Sequence, residues 1–422
     1  MPPTMLNRTL TPELKEIDQI DFVSPAIHVI HGNARLYHMA EVPNNTSRLD
    51  LYFDAGTARG ARAIAGFVNG MLLSGSEKRS AIEIQSEIDA LGGFYESGIS
   101  QETAVVSIYA LKEHLLAIFR IIANALEELS FTEKELKEMI NDRRQKFKVN
   151  MEKVSFLAQR EFQQRLFHNS IYGRVSDETD FEIVEREKLI SFFNEYYLQG
   201  LYKVVVVGSI PETEINEIIS TSAKWAKPSK NSYEKDLKNE SGNTYVEKAG
   251  AMQTALRIGR ILFNKTHEDY LDFLVLNTIL GDYFGSRLMS NIREDKGYTY
   301  GIGSMVAELH ETGYFLIATE VGKDVKDAAL EEIKKELKRL QEELVTDEEL
   351  SLVKNYMLGQ LLKSADGPYS MVDLFLSVEP HGLDLDLYNK AIESLHAIKA
   401  ERIQELAKHY LNWDDFTVVA AG

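Results

Sequence analysis

The stretch NIREDKGYTYGIGS, residues 291–304, places one guanidinium, Arg293, ahead of two phenols, Tyr298 and Tyr300. Arginine keeps its charge at any physiological pH, and a tyrosine hydroxyl can donate a hydrogen bond. Such a pair suits the holding of a peptide carbonyl and the stabilising of the oxyanion formed when water attacks it. Gly297 lets the chain turn from helix to strand in front of the phenols. The tyrosines are two residues apart and share a strand face, so spacing alone leaves both open.

A second stretch, IAGFVNGMLLSGS at 64–76, reads as a helix with Gly66 and Gly70 on one face. Each glycine costs a helix roughly 1 kcal/mol relative to alanine, so the pair demands a reason. A hinge or a close-packed face would supply one. The chain has no cysteine, which excludes disulfides, thiolate metal sites and a cysteine nucleophile. Its ten histidines form neither His-x-x-Glu-His nor His-Glu-x-x-His. His28 and His31 lie three apart in a strand-like run, which sends them to opposite faces.

The elements that must position these residues come in two sets. Strand-like TSRLDLYFDAGTA and TAVVSIYAL alternate with helical SAIEIQSEIDAL, KEHLLAIFRIIANALEEL and FTEKELKEMINDRRQKF. Polarity then rises through KPSKNSYEKDLKNESGNTY, and the spacing predicts a linker at 227–245 between an N-terminal domain, 1–226, and a C-terminal domain, 246–422. Beyond it the pattern restarts. EIDALGGFYESGIS parallels NIREDKGYTYGIGS, and FTEKELKEM parallels VTDEELSLV, at offsets of about 200 to 215 residues. The expected fold is therefore α+β, with two related domains in tandem.

Composition narrows the function classes. The 422 residues carry a formal net charge of −18, which argues against electrostatic attraction to nucleic acid or anionic lipid. No window approaches the roughly 20 apolar residues of a membrane span, and the start lacks the apolar core of a secretory signal. The expectation is a cytoplasmic chain without nucleic-acid or membrane partners, or a periplasmic one if a signal was removed.

LDLYFDAGTARG, LGGFYESGISQETAVVSIYAL and AMQTALRIGRILF together resemble the M16 family of metallopeptidases, the pitrilysin-like enzymes and relatives of mitochondrial processing peptidase, in their shorter bacterial form. The resemblance implies two homologous domains of that type, each a mainly antiparallel sheet covered by helices. Active members carry His-x-x-Glu-His on the helix after the first strand, two imidazoles one turn apart for zinc and a glutamate base between them. The corresponding residues here are Gly66-Phe67-Val68-Asn69-Gly70. An amide at 69 cannot take the proton. Family spacing to the third ligand lands on Lys146, a cation that would repel zinc, and the family's additional acidic position falls near Met139.

The second half keeps what the first has lost. An arginine followed seven positions later by a tyrosine is a family pattern, and it selects Arg293 and Tyr300. Gly281 and Gly285 stand in the glycine-containing loop before that helix, thinned by Asp282, Tyr283 and Phe284. The resemblance thus implies the zinc-free subunit of a heterodimeric peptidase, not active alone. A partner bearing His-x-x-Glu-His would hold the zinc, and the substrate would be a peptide. A non-catalytic peptide-binding or assembly protein, like the core subunits of respiratory complexes, is the other reading.

Overall fold

A computed structural model describes residues 16–41, 45–60, 62–76, 78–226, 233–234 and 237–422. The first half builds a six-stranded sheet from β1 (Ala26–His31), β2 (Ala34–Met39), β3 (Thr46–Phe53), β4 (Phe94–Ile99), β5 (Ala104–Leu111) and β6 (Leu201–Val207). The second half builds a five-stranded sheet from β7 (Gly242–Val246), β8 (Gln253–Leu262), β9 (Thr299–Glu308), β10 (Gly313–Gly322) and β11 (Thr417–Ala421). Their spatial orders are β1-β2-β6-β3-β5-β4 and β7-β11-β8-β10-β9. Leaving out β1, the two orders correspond strand for strand.

The correspondence extends to direction. Only β2 with β6, and β7 with β11, run parallel; the remaining neighbours are antiparallel. The echo extends to a helix start in each half as well: Thr132 and Thr346 both cap a helix by accepting from the backbone N–H three residues on, at Glu135 and Glu349. The expected pair of mainly antiparallel sheets flanked by helices is the architecture present.

The polar stretch at 227–245 differs from expectation at its end. Residues 227–232 and 235–236 lie outside the described residues, but Gly242–Val246 is strand β7, paired in parallel with β11. An edge strand keeps a mostly solvent-facing composition, so its sequence does not alternate clearly.

Each sheet packs helices of its own half on one face. The opposite faces are covered by exchange. Helix Val154–Leu166, from the first half, sets Ala158, Phe162 and Leu166 at four-residue spacing against Ala255, Leu316, Val419 and Ala421 of the second sheet. Helix Pro368–Val378, from the second half, lays Val372 and Phe375 on Tyr37, Met39, Val205 and Val207 of the first sheet. Neither sheet is covered without the other half.

Polar contacts fasten the same junction. Glu379 accepts from the Tyr37 hydroxyl at 2.9 Å and from Lys203 Nζ at 2.8 Å, with Lys203 buried. Glu102 accepts from the Tyr172 hydroxyl at 2.7 Å and from the backbone N–H of His310. Beside them a cavity of about 260 Å³ is lined by Tyr52, Tyr202, Tyr233, His310 and His381 among others. Among the described residues no helix is long and apolar enough to cross a membrane.

Phe162→Ala empties the centre of the exchanged contact, where the ring lies under Gly259. Chemical denaturation is expected to show a loss of about 3 to 5 kcal/mol.

Candidate functional site

Gly66 and Gly70 lie on helix Arg62–Gly70, which buries Ile64, Ala65, Phe67 and Val68 against the first sheet. Their shared face is occupied. The guanidinium of Arg143, from helix Glu133–Met151, rests on this glycine floor. A Cβ at Gly66 would lie 3.1 Å from Arg143 Nη1, and one at Gly70 would overlap Nη2 and meet Met139 Cε at 3.3 Å. The guanidinium also lies 4.6 Å over the Phe67 ring. Burial lowers its pKa from the ordinary arginine value, offset in part by the charge of Asp142. The glycine face thus gives the large cation its room.

Asn69 is buried between them in sequence and faces the other way. Its Nδ2 donates to the Gly98 carbonyl at 3.1 Å and to the Tyr197 hydroxyl at 3.3 Å, tying the helix to β4 and to the core. Burial pushes the Tyr197 phenol up, so it stays protonated and can accept that bond. Asn69 is thus a structural amide.

Lys146 stands apart from this cluster. It shares a helix face with Met139 by the 3.6-residue period, yet its ammonium turns outward, 72% exposed, to pair with Asp142 at 2.8 Å. Arg143, one turn earlier, fills the place that family spacing assigned to residue 146. The sequence held a signal for it: two glycines one turn apart need a long side chain opposite, and Met139 and Arg143 form an i, i+4 pair. His28 and His31 do not converge either; His28 faces the ring of His38 while His31 ends β1 in solvent. Among the described residues no three His, Cys, Asp or Glu side chains gather so as to hold a metal.

In the second half, Arg293 and Tyr300 both sit where regular structure is interrupted. Arg293 belongs to a π-helical turn, Met289–Asp295, a wide turn that recurs at functional sites. Its guanidinium lies 4.7 Å over the Phe284 ring, with Glu294 at 3.8 Å. Gly297, at φ +65°, then turns the chain into β9. Between Thr299 and Ile302 the register against β10 slips by one residue, so Tyr300 and Gly301 together oppose Glu320. This is a β-bulge, and a bulge re-aims a side chain.

Hydroxyls lock the bulge. Thr299 Oγ1 donates toward the Glu320 carbonyl at 2.7 Å, and Thr319 Oγ1 donates to the Gly301 carbonyl at 2.9 Å. The two tyrosines are placed differently: Tyr298 precedes the strand and packs on the second core, while Tyr300 is 95% exposed. Beside Tyr300 an open cleft is lined by Gln253, Arg257, Thr319 and Glu320. Arg257 brings a second cation that sequence reasoning missed, since nothing in a strand pattern marks it.

Gly281 and Gly285 bound the loop ahead of Arg293. The Gly281 carbonyl accepts from Ser304 N–H at 3.1 Å, and a Cβ at Gly281 would lie 2.6 Å from that nitrogen, so only glycine admits β9 so close. Tyr283 lies tilted against Tyr356, 5.1 Å between centroids, leaving Phe284 exposed as a platform for Arg293. The Arg143 cluster belongs to the first half, Arg293 and Tyr300 to the second.

Two family descriptions match successive parts of the chain, "Insulinase (Peptidase family M16)" over residues 38–173 and "Peptidase M16 inactive domain" over 184–357. The chain belongs to the M16 peptidase family. Among its M16 relatives, the uncharacterized zinc protease YmxG of Bacillus subtilis is 25% identical over 83% of this chain and 86% of its own length. The mitochondrial-processing peptidase beta subunit of Mus musculus is 20% identical over 90% of this chain and 80% of its own. The crystal structure of an M16 inactive domain from Pseudomonas fluorescens superposes with a TM-score of 0.85 at 21% identity, covering 94% of this chain and 98% of that one.

The zinc that M16 peptidases imply does not fit this chain's residues. At the positions that family spacing assigns to the ligands stand two glycines without donors, the amide between them is spent on Gly98 and Tyr197, and a guanidinium fills the space. Restoring the motif alone is expected to fail. The triple variant Gly66→His, Asn69→Glu, Gly70→His should hold well under one zinc per chain by elemental analysis while Arg143 remains. Stoichiometric zinc would show that the guanidinium yields its place.

Proposed function

We propose that this M16 chain is the zinc-free member of a two-chain peptidase, and that it lends Arg293 and Tyr300 to a zinc site carried by a partner chain. The observation that carries this reading is the contrast between its halves. The helix face that family spacing assigns to the metal is filled by Arg143, whereas Arg293 and Tyr300 are presented on a π-turn and a locked bulge, with Tyr300 almost fully in solvent. An exposed phenol on a bulge whose backbone is held by two threonine hydroxyls contributes nothing to its own core.

The partner would be an M16 chain with His-x-x-Glu-His, and its zinc would polarise the scissile carbonyl and activate water. This chain's part is positional and electrostatic. Arg293 would hold the peptide carbonyl by a charged hydrogen bond, and the Tyr300 hydroxyl would donate to the oxyanion as charge develops on it. An extended peptide can pair with an exposed strand edge, and β9 is an edge of the second sheet. The names of relatives favour pairing: a mitochondrial-processing peptidase beta subunit and a cytochrome b-c1 complex subunit 2 are each members of assemblies by name.

The second of these names, with the Candida albicans complex III structure at TM-score 0.73, also favours the other reading, an assembly or peptide-binding role without chemistry. One experiment separates the two. Mixed with the zinc-bearing partner, this chain should give peptide hydrolysis that neither gives alone, and Arg293→Ala or Tyr300→Phe should cut kcat by roughly 100-fold or more with complex formation intact. Unchanged turnover in both variants would leave the assembly role.

A further inference from the structure

Arg143 is costly where it stands. Its guanidinium is half-buried between the glycine floor and the Phe67 ring, and no described residue accepts a hydrogen bond from it or pairs with it within salt-bridge distance. The nearest carboxylate in sequence, Asp142, is engaged by Lys146. Two further guanidinium groups stand over the same aromatic cluster: Arg144 lies 5.8 Å over Phe181 and Arg160 lies 5.9 Å over Phe147. The Phe181 ring packs edge to face with both Phe147 and Phe67. Arg144 Nε has no partner, and Arg160 reaches only the Ser176 carbonyl and, at 3.8 Å, Asp177. In a chain of net charge −18, this concentration of positive charge is local and specific.

Folding does not need it. A desolvated charge destabilises where its counter-charge, here Asp142, is already shared with Lys146, and an apolar side chain of similar length would fill the same groove at no such cost. Guanidinium is, however, the group best shaped to receive a carboxylate through two parallel hydrogen bonds. With one face on Phe67 and glycine beneath, its remaining donors are left for a ligand.

We propose that the rebuilt metal site is a carboxylate-binding subsite, in which Arg143, supported by the charges of Arg144 and Arg160, receives either the C-terminal carboxylate or an acidic side chain of a bound peptide. This rests on the peptide-binding reading of the chain. It adds a specificity element: the half that lost the metal now selects substrates by charge.

The test uses the full chain and four fluorescein-labelled Ala/Ser peptides, with one internal Glu or Gln and a free or amidated C-terminus, followed by anisotropy. The expected result is roughly tenfold or greater preference for a carboxylate-bearing peptide over the Gln amide, weakening with salt. The free-acid Gln and amidated Glu peptides tell terminal from side-chain recognition. Arg143→Gln should abolish the preference, Arg143→Lys should retain part of it, and Arg143→Met should melt no lower than the parent chain while also losing it. Equal binding of acid and amide forms, or a preference that survives Arg143→Gln, overturns the subsite alone. Failure of all four peptides to bind overturns the subsite together with the peptide-binding reading.

Discussion

The arrangement depends on a requirement that neither half meets alone: a mixed sheet buried on both faces needs two layers of cover, and each half's sheet receives one of them from the other. Phe162 under the second sheet and Val372 on the first are the centres of this exchange. Because hydrophobic burial is non-directional, such contacts fix that the halves stay together. The buried pair of Lys203 with Glu379, and the carboxylate of Glu102 on the His310 backbone, fix how. A buried charge left without its partner costs several kcal/mol, so sliding one half past the other is penalised. The result is a rigid frame that presents the Arg143 face and the Tyr300 edge at set places.

On that frame the duplicated halves have diverged in opposite senses. In the first half the helix after β3 carries a guanidinium on its glycine face and turns its amide to Gly98 and Tyr197. In the second half it is the connection just ahead of β9, the counterpart of helix Ala81–Ala90 ahead of β4, that is irregular: a wide helical turn and a bulge carry Arg293 and Tyr300. The same scaffold can do both, because either change is confined to the layer between sheet edge and helix.

How much of this the sequence could reveal follows from what each feature requires. The duplication was legible, since strand alternation, helix caps at Thr132 and Thr346 and the glycine turns are local signals. So were the glycine face of residues 66 and 70 and the interval from Arg293 to Tyr300. The exchanged helices were not legible: an apolar face says that a helix is buried, never against which sheet. Arg143 escaped because family spacing pointed one turn further along, and charge on a helix ordinarily faces water. The bulge that separates Tyr300 from Tyr298 is a one-residue register slip, which residue types do not encode, and β7 is too polar an edge to announce itself.

The central claim is that Tyr300 works on another chain's zinc. It is tested most directly by the structure of the two-chain complex with a peptide trapped across it. The account predicts the Tyr300 hydroxyl and the Arg293 guanidinium within about 3 Å of the scissile carbonyl oxygen at the partner's metal. A complex in which β9 faces solvent, or in which the peptide carbonyl meets only the partner's own side chains, would contradict it.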